Sequence, residues 1–308
     1  MTIKHVVICG GGEVGFIIQG ILTKLYDNNV WRHQDIETVY STSVGTLIGL
    51  GIILKIDIET INKYILERPL DFLQVEPQMF FGLIENKGLF DKNVIIKFCS
   101  PLLKSLNLSV DITFNELYNY SGIEYNIIVS ELNAFEAVQF SHKTHPDFKV
   151  LDAINMSCSL PTLFKPVMID DKCYFDGGLF NNYPITNCIN DTKCDIEEIL
   201  AFKKISANNS PSHQQTLEIK NIFDYINTIL AKMIMQCNTD KEIYDLSGAN
   251  IYDIVSPQVS VESIIGLMDK EKRKILFNHG KNLVDNNVDI SLASIDISQN
   301  DLSCNLII

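Results

Sequence analysis

The sequence has little positive charge. Among its 308 residues, 25 lysines and arginines stand against 38 aspartates and glutamates, which gives a formal net charge of −13. Nucleic-acid phosphates are bound mainly by clustered basic side chains, so this balance argues against a nucleic-acid partner. It also argues against simple electrostatic attachment to anionic lipid.

Long apolar runs are missing as well. A membrane-spanning helix needs about 20 consecutive apolar residues, and the best candidate, residues 43–58, is interrupted by glycines and by Lys55. The short apolar run at residues 6–9 leads into glycines with no small-residue cleavage site behind it, so we interpret it as a strand and expect no targeting segment. We therefore expect a cytoplasmic protein whose membrane contact is at most peripheral.

Patterns typical of disulfide and metal sites are also lacking. The eight cysteines form no CxxC pair, which favours reduced, buried thiols in a cytosolic protein. No two histidines flank a glutamate at helical spacing, and His142 and His145 lie in a proline-containing turn without nearby cysteines. The sequence predicts no metal site and no cofactor.

Hydrophobic periodicity predicts alternating strands and helices. We predict strands at residues 3–9, 38–41, 125–130, 137–141, 167–169, 173–175 and 199–202. We predict helices at residues 14–26, 44–54, 58–66, 92–106, 150–157, 218–237 and 261–284. This alternation predicts an α/β fold, a three-layer α/β/α sandwich with a central, mostly parallel sheet. We expect residues 1–308 to form a single domain, with a catalytic core at about 4–206 and a helical completion and tail at 207–308.

A glycine-rich turn follows the first predicted strand. Its four glycines are Gly10, Gly11, Gly12 and Gly15. Such a turn between a strand and a helix exposes backbone N–H groups to an anion. Two chemistries use it: binding of a dinucleotide pyrophosphate at a helix N-terminus, and stabilisation of the oxyanion that forms during acyl transfer.

The second predicted strand disfavours a nucleotide. A dinucleotide-binding fold needs an acidic residue at the end of this strand to bind a ribose hydroxyl, whereas residues 38–40 are followed by Ser41, Thr42 and Ser43. Glu13 would also bring a carboxylate against the phosphates, which is repulsive. A nucleotide-binding Rossmann-type protein is therefore the weaker alternative.

A serine stands at the apex of the turn after the second strand. The segment Ser41–Gly45 has the form of the GxSxG nucleophile elbow, in which a sharp turn points a serine hydroxyl at the N-terminus of the next helix. Ser41 replaces the first glycine of that pattern, at a position that needs a small side chain. Taken alone, the segment favours an ordinary helix N-cap at Ser43.

An aspartate follows a short apolar strand at residues 173–175. Asp176 enters a glycine-glycine turn, and two asparagines and a proline follow within residues 181–184. Taken alone, this pattern is typical of a β-turn with aspartate at its first position.

Together the three segments resemble the patatin-like phospholipase family, which combines a GGGxxG loop, a GxSxG serine and an Asp-Gly-Gly motif in this order. Two further segments are similar to motifs of that family: Gly88–Asp91 (GLFD) and residues 153–166. The resemblance covers about residues 4–190. It implies the family's α/β fold and a Ser-Asp dyad in place of a Ser-His-Asp triad.

The resemblance implies a lipid acyl hydrolase that cleaves carboxylic esters of phospholipids or related lipids. Ser43 would be the nucleophile that forms an acyl-enzyme, and Asp176 the base. The implied oxyanion hole consists of Gly10, Gly11, Gly12 and Gly15. A dyad requires that burial raise the pKa of the aspartate. The histidine placed latest in the chain, His279, is expected on a helix face and not in a triad.

The sequence departs from the family at Val14, where many members carry arginine or lysine. An inactive lipid-binding or scaffold protein with the same fold is therefore an alternative. The residues leave open the lipid head group and the need for a protein activator. Two segments are candidates for specificity: residues 203–212, and the apolar segment 67–86, which is either a cover packed on the core or a flap that contacts lipid.

Overall fold

The computed structural model describes residues 2–206, 225–226, 228–230, 232–233, 244–256, 259–285 and 294–296. The predicted helix at 218–237 and the predicted tail lie largely outside these residues. The assignment of residues 1–308 to a single domain stays a prediction.

The described residues form eleven named strands and ten named helices. The strands are β1 (His5–Ile8), β2 (Thr38–Thr42), β3 (Gly88–Phe90), β4 (Glu124–Glu131), β5 (Glu136–Phe140), β6 (Thr162–Phe164), β7 (Val167–Ile169), β8 (Lys172–Asp176), β9 (Ile199–Ser206), β10 (Asn250–Ser256) and β11 (Ser294–Asp296). The helices are α1 (Val14–Asp27), α2 (Val44–Ile53), α3 (Ile58–Glu67), α4 (Pro77–Asn86), α5 (Lys92–Ser105), α6 (Phe114–Ser121), α7 (Val150–Ser157), α8 (Ile185–Thr192), α9 (Val261–Ile265) and α10 (Lys270–Asp285).

The central sheet has nine strands and is mostly parallel, as the sequence predicts. Its order is β11-β10-β9-β1-β2-β4-β8-β7, and β5 also pairs with β4. Every pairing from β11 through to β4 is parallel, whereas the pairs β4–β5, β4–β8 and β7–β8 are antiparallel. Strands β3 and β6 form a separate parallel pair.

Hydrophobic cores lie on both faces of the sheet. Alternate residues of β1 point to opposite faces, and Val6 and Ile8 join the larger core while Val7 joins the smaller one. The larger core includes apolar residues of α1, α2, α3, α5 and α7, and the smaller core includes Ile185 and Ile189 of α8. The three-layer α/β/α arrangement is therefore confirmed.

Strands β2 and β8 meet end to end along one edge of β4. β2 runs parallel to β4 and ends with Thr42 opposite Ile128, whereas β8 runs antiparallel and ends with Asp176 opposite Val129. Since β5 occupies the other edge of β4 over residues 127–131, β2 and β8 share the same edge. The carboxyl ends of two strands of opposite direction thus converge on one point.

Helix α10 packs closely on α1. A Cβ at Gly20 of α1 would collide with the carbonyl of Phe277, and a Cβ at Gly280 of α10 with the carbonyl of Ile17. The predicted continuous helix over 261–284 is wrong, because a 3₁₀ turn at Gly266–Met268 separates α9 from α10. The sequence analysis also missed α4, α6, α8, β3, β6, β10 and β11.

The six cysteines of the described residues are unpaired thiols. Cys9, Cys99, Cys158 and Cys188 are buried, as expected, whereas Cys173 and Cys194 are partly exposed.

Within the described residues, no helix combines the length and the apolarity that crossing a bilayer requires.

Candidate active site

Ser43 occupies a strained turn between β2 and α2. Its backbone has φ 53° and ψ −129°, in a region that residues other than glycine seldom adopt. A Cβ at Gly45 would lie 2.6 Å from the carbonyl oxygen of Ile8 and 2.7 Å from that of Cys9, so only glycine allows α2 to start this close to β1. Ser43 occupies the N-cap position of α2, but its side chain makes no capping hydrogen bond, so the prediction of an ordinary capping serine is wrong.

The hydroxyl of Ser43 contacts the carboxylate of Asp176. Ser43 Oγ donates to Asp176 Oδ2 at 2.6 Å, and the N–H of Gly178 donates to Asp176 Oδ1 at 2.7 Å. Asp176 thus makes the expected turn contact and holds the serine at the same time. Its side chain is buried, with 5% of the residue exposed.

Burial sets the protonation of Asp176. Loss of solvent raises the pKa of the Asp176 carboxyl to about 6, although hydrogen bonds from Ser43 and Gly178 and the positive charge of Lys204 oppose this shift. Above this pKa the group is a carboxylate that can accept a proton from the serine hydroxyl. Within the described residues, no histidine is a hydrogen-bond partner of Ser43 or Asp176.

Ser157, at the end of α7, connects the turn at Ser43 to strand β4 through two hydrogen bonds. Its hydroxyl accepts a hydrogen bond from the backbone N–H of Ser43 at 2.9 Å and donates one to the carbonyl of Ile128 at 2.6 Å. The positive φ of Ser43 is thereby fixed from outside its own turn. Ser157 lies within the family-like segment 153–166, but no local pattern indicates this role.

Replacement of Ser157 with alanine should slow reaction at Ser43 by about tenfold. The variant leaves the buried N–H of Ser43 without its partner, which costs roughly 1–3 kcal/mol and loosens the strained turn. The rate of labelling by a fluorophosphonate probe measures this effect. Ser159→Ala is the matched control, because the Ser159 hydroxyl donates only to the carbonyl of Asn155. Equal rates for both variants would contradict the role of Ser157.

The glycine-rich loop lies against Ser43. A Cβ at Gly10 would lie 2.7 Å from the Cβ of Ser43 and 2.6 Å from Oδ1 of Asn182, so the loop approaches both residues through bare backbone. Gly11 and Gly12 have positive φ angles of 149° and 60°. These conformations turn the loop back towards the start of α1, and glycine adopts them without strain.

The loop N–H groups differ in availability. The N–H of Gly10 donates to Asn182 Oδ1 at 3.1 Å, and that of Gly15 to the carbonyl of Gly12 at 3.1 Å. Among the described residues, the N–H groups of Gly11 and Gly12 have no hydrogen-bond acceptor. These two groups are therefore available to an anion beside Ser43. Asn182 was visible in the sequence motif, but its contact with Gly10 was not foreseen.

Glu13 does not place an uncompensated charge in the loop. Its carboxylate is buried and lies 2.8 Å from the ammonium of Lys272, which comes from α10. His279, in the same helix, is partly buried, and burial lowers its pKa. The ion pair between Glu13 and Lys272 therefore joins the loop to α10.

The apolar segment 67–86 forms a cover with a small core of its own. Leu83 of α4 packs with Leu89 and Phe90, and Met79 and Ile264 pack against this cluster. Ile264 also lies beside Gly12, where a Cβ would be 3.4 Å from its Cδ1. Phe80 is 43% exposed. The cover therefore adjoins the glycine loop and presents an aromatic side chain to solvent.

The chain is similar in sequence to two viral proteins. An uncharacterized protein of Acanthamoeba polyphaga mimivirus is 28% identical over 227 residues, which are 73% of this chain and 73% of that protein. A probable lipid hydrolase of Invertebrate iridescent virus 6 is 28% identical over 109 residues, which are 35% of this chain and 38% of that protein. The chain thus matches well under half of that hydrolase.

The fold is similar to that of a solved bacterial protein. The crystal structure of VipD from Legionella pneumophila superposes with a TM-score of 0.53 at 16% identity, covering 91% of this chain and 65% of VipD. A family model described as patatin-like phospholipase matches residues 6–189. This match exceeds half of the chain and contains the glycine loop, Ser43 and Asp176. The chain therefore belongs to the patatin-like phospholipase family.

Proposed function

We propose that the protein is a lipid acyl hydrolase that cleaves carboxylic esters of phospholipids or related lipids through an acyl-Ser43 intermediate. Asp176 is the general base, and the Gly10–Gly15 loop provides the oxyanion hole. The observation that carries the proposal is the 2.6 Å hydrogen bond from a serine at a strained elbow to a buried carboxylate. Family membership supports the class of substrate.

The first half of the reaction acylates Ser43. As Ser43 Oγ bonds to the ester carbonyl carbon, its proton passes to Asp176 Oδ2, and the carbonyl oxygen becomes an oxyanion. The N–H groups of Gly11 and Gly12 would donate to this oxygen, while Gly10, held by Asn182, and Gly15 shape the loop. Cleavage of the bond to the alcohol follows, and the leaving alkoxide takes the proton from Asp176.

The second half releases the fatty acid. Asp176 takes a proton from a water molecule that attacks the acyl carbon, and the same N–H groups stabilise the second oxyanion. The bond to Ser43 Oγ then breaks, and the serine recovers its proton from Asp176. A single carboxylate can serve both halves, because its raised pKa allows it to accept and return a proton near neutral pH.

The protein would bind its substrate at a lipid surface. Phe175 and Phe180 flank the proposed base in the sequence, and their rings lie 6.3 Å apart. Phe135 is exposed and packs edge-on against Phe180 at 4.7 Å. A surface of this kind suits peripheral contact with lipid. The cytoplasmic location stays a prediction.

Labelling with a fluorophosphonate probe tests the proposed nucleophile. We expect the purified protein to be modified at Ser43, as located by mass spectrometry of the labelled peptide, and the Ser43→Ala variant to remain unlabelled. A folded wild-type protein that stays unlabelled, both alone and with phospholipid vesicles, would contradict the proposal in favour of the inactive lipid-binding alternative.

Hydrolysis should depend on pH through Asp176. Because the pKa of this carboxyl is raised to about 6, the base form is lost as the pH falls through that value. We expect kcat/KM for a soluble p-nitrophenyl ester to reach a plateau above about pH 7 and to fall about tenfold for each unit below the pKa. Initial rates across this range provide the measurement.

Reversibility is the control for the pH profile. Protein held at low pH and then assayed at neutral pH should recover full activity, which separates protonation from unfolding. An acid limb centred near the ordinary pKa of about 4 for a carboxyl would contradict the assignment of a buried base.

A further inference from the structure

Lys204 lies beside the glycine loop, although it belongs to another strand. In β9, Phe202 is the partner of Ile8 at the end of β1, so residue 204 continues alongside the loop that follows β1. A Cβ at Gly11 would lie 2.8 Å from Cδ of Lys204, which means that the lysine stem packs directly on the loop backbone.

The ammonium of Lys204 has no counter-ion among the described residues. No carboxylate oxygen of these residues lies within 4.0 Å of its Nζ, and Nζ has no hydrogen-bond partner among them. The nearby loop carboxylate, Glu13, is instead paired with Lys272. Asp176 is engaged by Ser43 and Gly178. Lys204 is partly exposed, and its ammonium meets no fixed counter-ion among these residues, so its charge stabilises most strongly a negative charge that develops next to it.

Electrostatic coupling links Lys204 to the loop and to the base. Burial lowers the pKa of Lys204, whereas the charges of Cys9, Glu13 and Asp176 raise it. In turn, the charge of Lys204 lowers the pKa of Asp176. The other charged groups near Lys204 and the loop are Lys272, which pairs with Glu13, and Asp253, which raises the pKa of the Cys9 thiol.

We propose that Lys204 supplies, from β9, the positive charge that stabilises the oxyanion held by Gly11 and Gly12. The loop Gly10–Gly15 carries no basic side chain of its own, and the stem of Lys204 packs on its backbone. The charge favours the tetrahedral intermediate over the neutral ester, since it meets a full negative charge only in the former. The inference rests on the proposed acyl transfer at Ser43.

Three substitutions test this role. Lys204→Met removes the charge and keeps the length of the stem, Lys204→Arg keeps the charge, and Lys203→Met is the matched control. Lys203 is the preceding residue of β9, but its side chain points to the opposite face, where the ammonium lies 5.4 Å from the ring of Tyr183. Circular dichroism and thermal unfolding verify that each variant is folded.

We expect Lys204→Met to lower kcat for a soluble p-nitrophenyl ester by about 10–100-fold with little change in KM. Lys204→Arg should retain most of the activity, and Lys203→Met all of it. The acid limb of kcat/KM should move to higher pH in Lys204→Met alone, because Asp176 loses a neighbouring positive charge. A ¹³C NMR titration of the Asp176 carboxyl should show the same upward shift without reference to turnover.

The outcomes separate this inference from the proposed function. A wild-type protein that neither hydrolyses the ester nor reacts with fluorophosphonate contradicts both. A wild-type protein that does both, with a Lys204→Met variant equal to it in kcat and in the Asp176 titration, contradicts the role of Lys204 alone. A loss of kcat that leaves the titration unchanged and is not restored by arginine shows a packing role and also contradicts the inference.

Discussion

Replacement of Asp176 with asparagine should reduce kcat by roughly 10³–10⁴-fold while the protein stays folded. Asparagine keeps the shape of the side chain and can still accept the hydrogen bond from Gly178, but it cannot take the proton of Ser43. Labelling by fluorophosphonate should slow in parallel. Asp171→Asn is the matched control, because Asp171 is an exposed residue in the turn of the β7–β8 hairpin. Activity of Asp176→Asn close to wild type would exclude Asp176 as the base.

The same substitution should stabilise the fold at neutral pH. Because burial raises the pKa of Asp176 from 3.8 to about 6, the native state binds its proton more tightly than the unfolded state does. The stability associated with this proton is complete below about pH 4 and is lost as the pH rises through 6. Asp176→Asn should therefore be more stable than wild type by roughly 1–3 kcal/mol at pH 7.5, with a smaller difference at about pH 4. Urea unfolding at the two pH values measures it.

The Gly45→Ala variant should lose both stability and reactivity. A Cβ here would lie 2.6 Å from the carbonyl oxygen of Ile8 and 2.7 Å from that of Cys9, and neither backbone group can move without shifting β1. We expect a loss of about 2–4 kcal/mol in the free energy of unfolding, or roughly 5–10 °C in Tm. Displacement of α2 would also move Ser43, so fluorophosphonate labelling should fall sharply.

Gly51→Ala provides the comparison within the same helix. A Cβ at Gly51 would meet only the side chain of Ile61, at 3.4 Å and 3.6 Å, which is ordinary contact. Alanine favours the helix over glycine by up to about 1 kcal/mol, so this variant should be as stable as wild type or more so. If the two alanine variants unfold at the same temperature, the close approach of α2 to β1 is not what requires glycine at position 45.

Local chemistry explains why the nucleophile and the base were recognisable from the sequence. An elbow needs a serine between small residues after an apolar strand, and Ser41–Gly45 supplies it. A turn aspartate followed by glycines marks Asp176. Both features depend on neighbouring residues alone. The parallel part of the sheet was also predictable from local sequence, because its strands and helices have clear hydrophobic periodicity.

Elements with weaker local signals were missed for physical reasons. Helices α6 and α8 are eight residues long and bury three residues each, whereas α7, of the same length, buries seven and was predicted. With so few apolar positions, α6 and α8 show little hydrophobic periodicity. Strand β10 pairs with β9, and its first residue, Asn250, lies opposite Leu200. A pairing between residues so far apart in the sequence leaves no local signal in β10. The predicted continuous helix at 261–284 failed because apolar periodicity does not reveal the 3₁₀ turn at Gly266–Met268.

By itself, the sequence determined the residue types of the site, the glycine turns that carry them and the class of the fold, since each depends on short-range geometry. Tertiary structure alone decided that β2 and β8, running in opposite directions along β4, bring Ser43 within 2.6 Å of Asp176. It also decided that Ser157 and Lys204 reach the site from other elements. These contacts join residues more than 100 positions apart. Burial against the sheet stabilises them and raises the pKa of Asp176. No local sequence pattern encodes that burial.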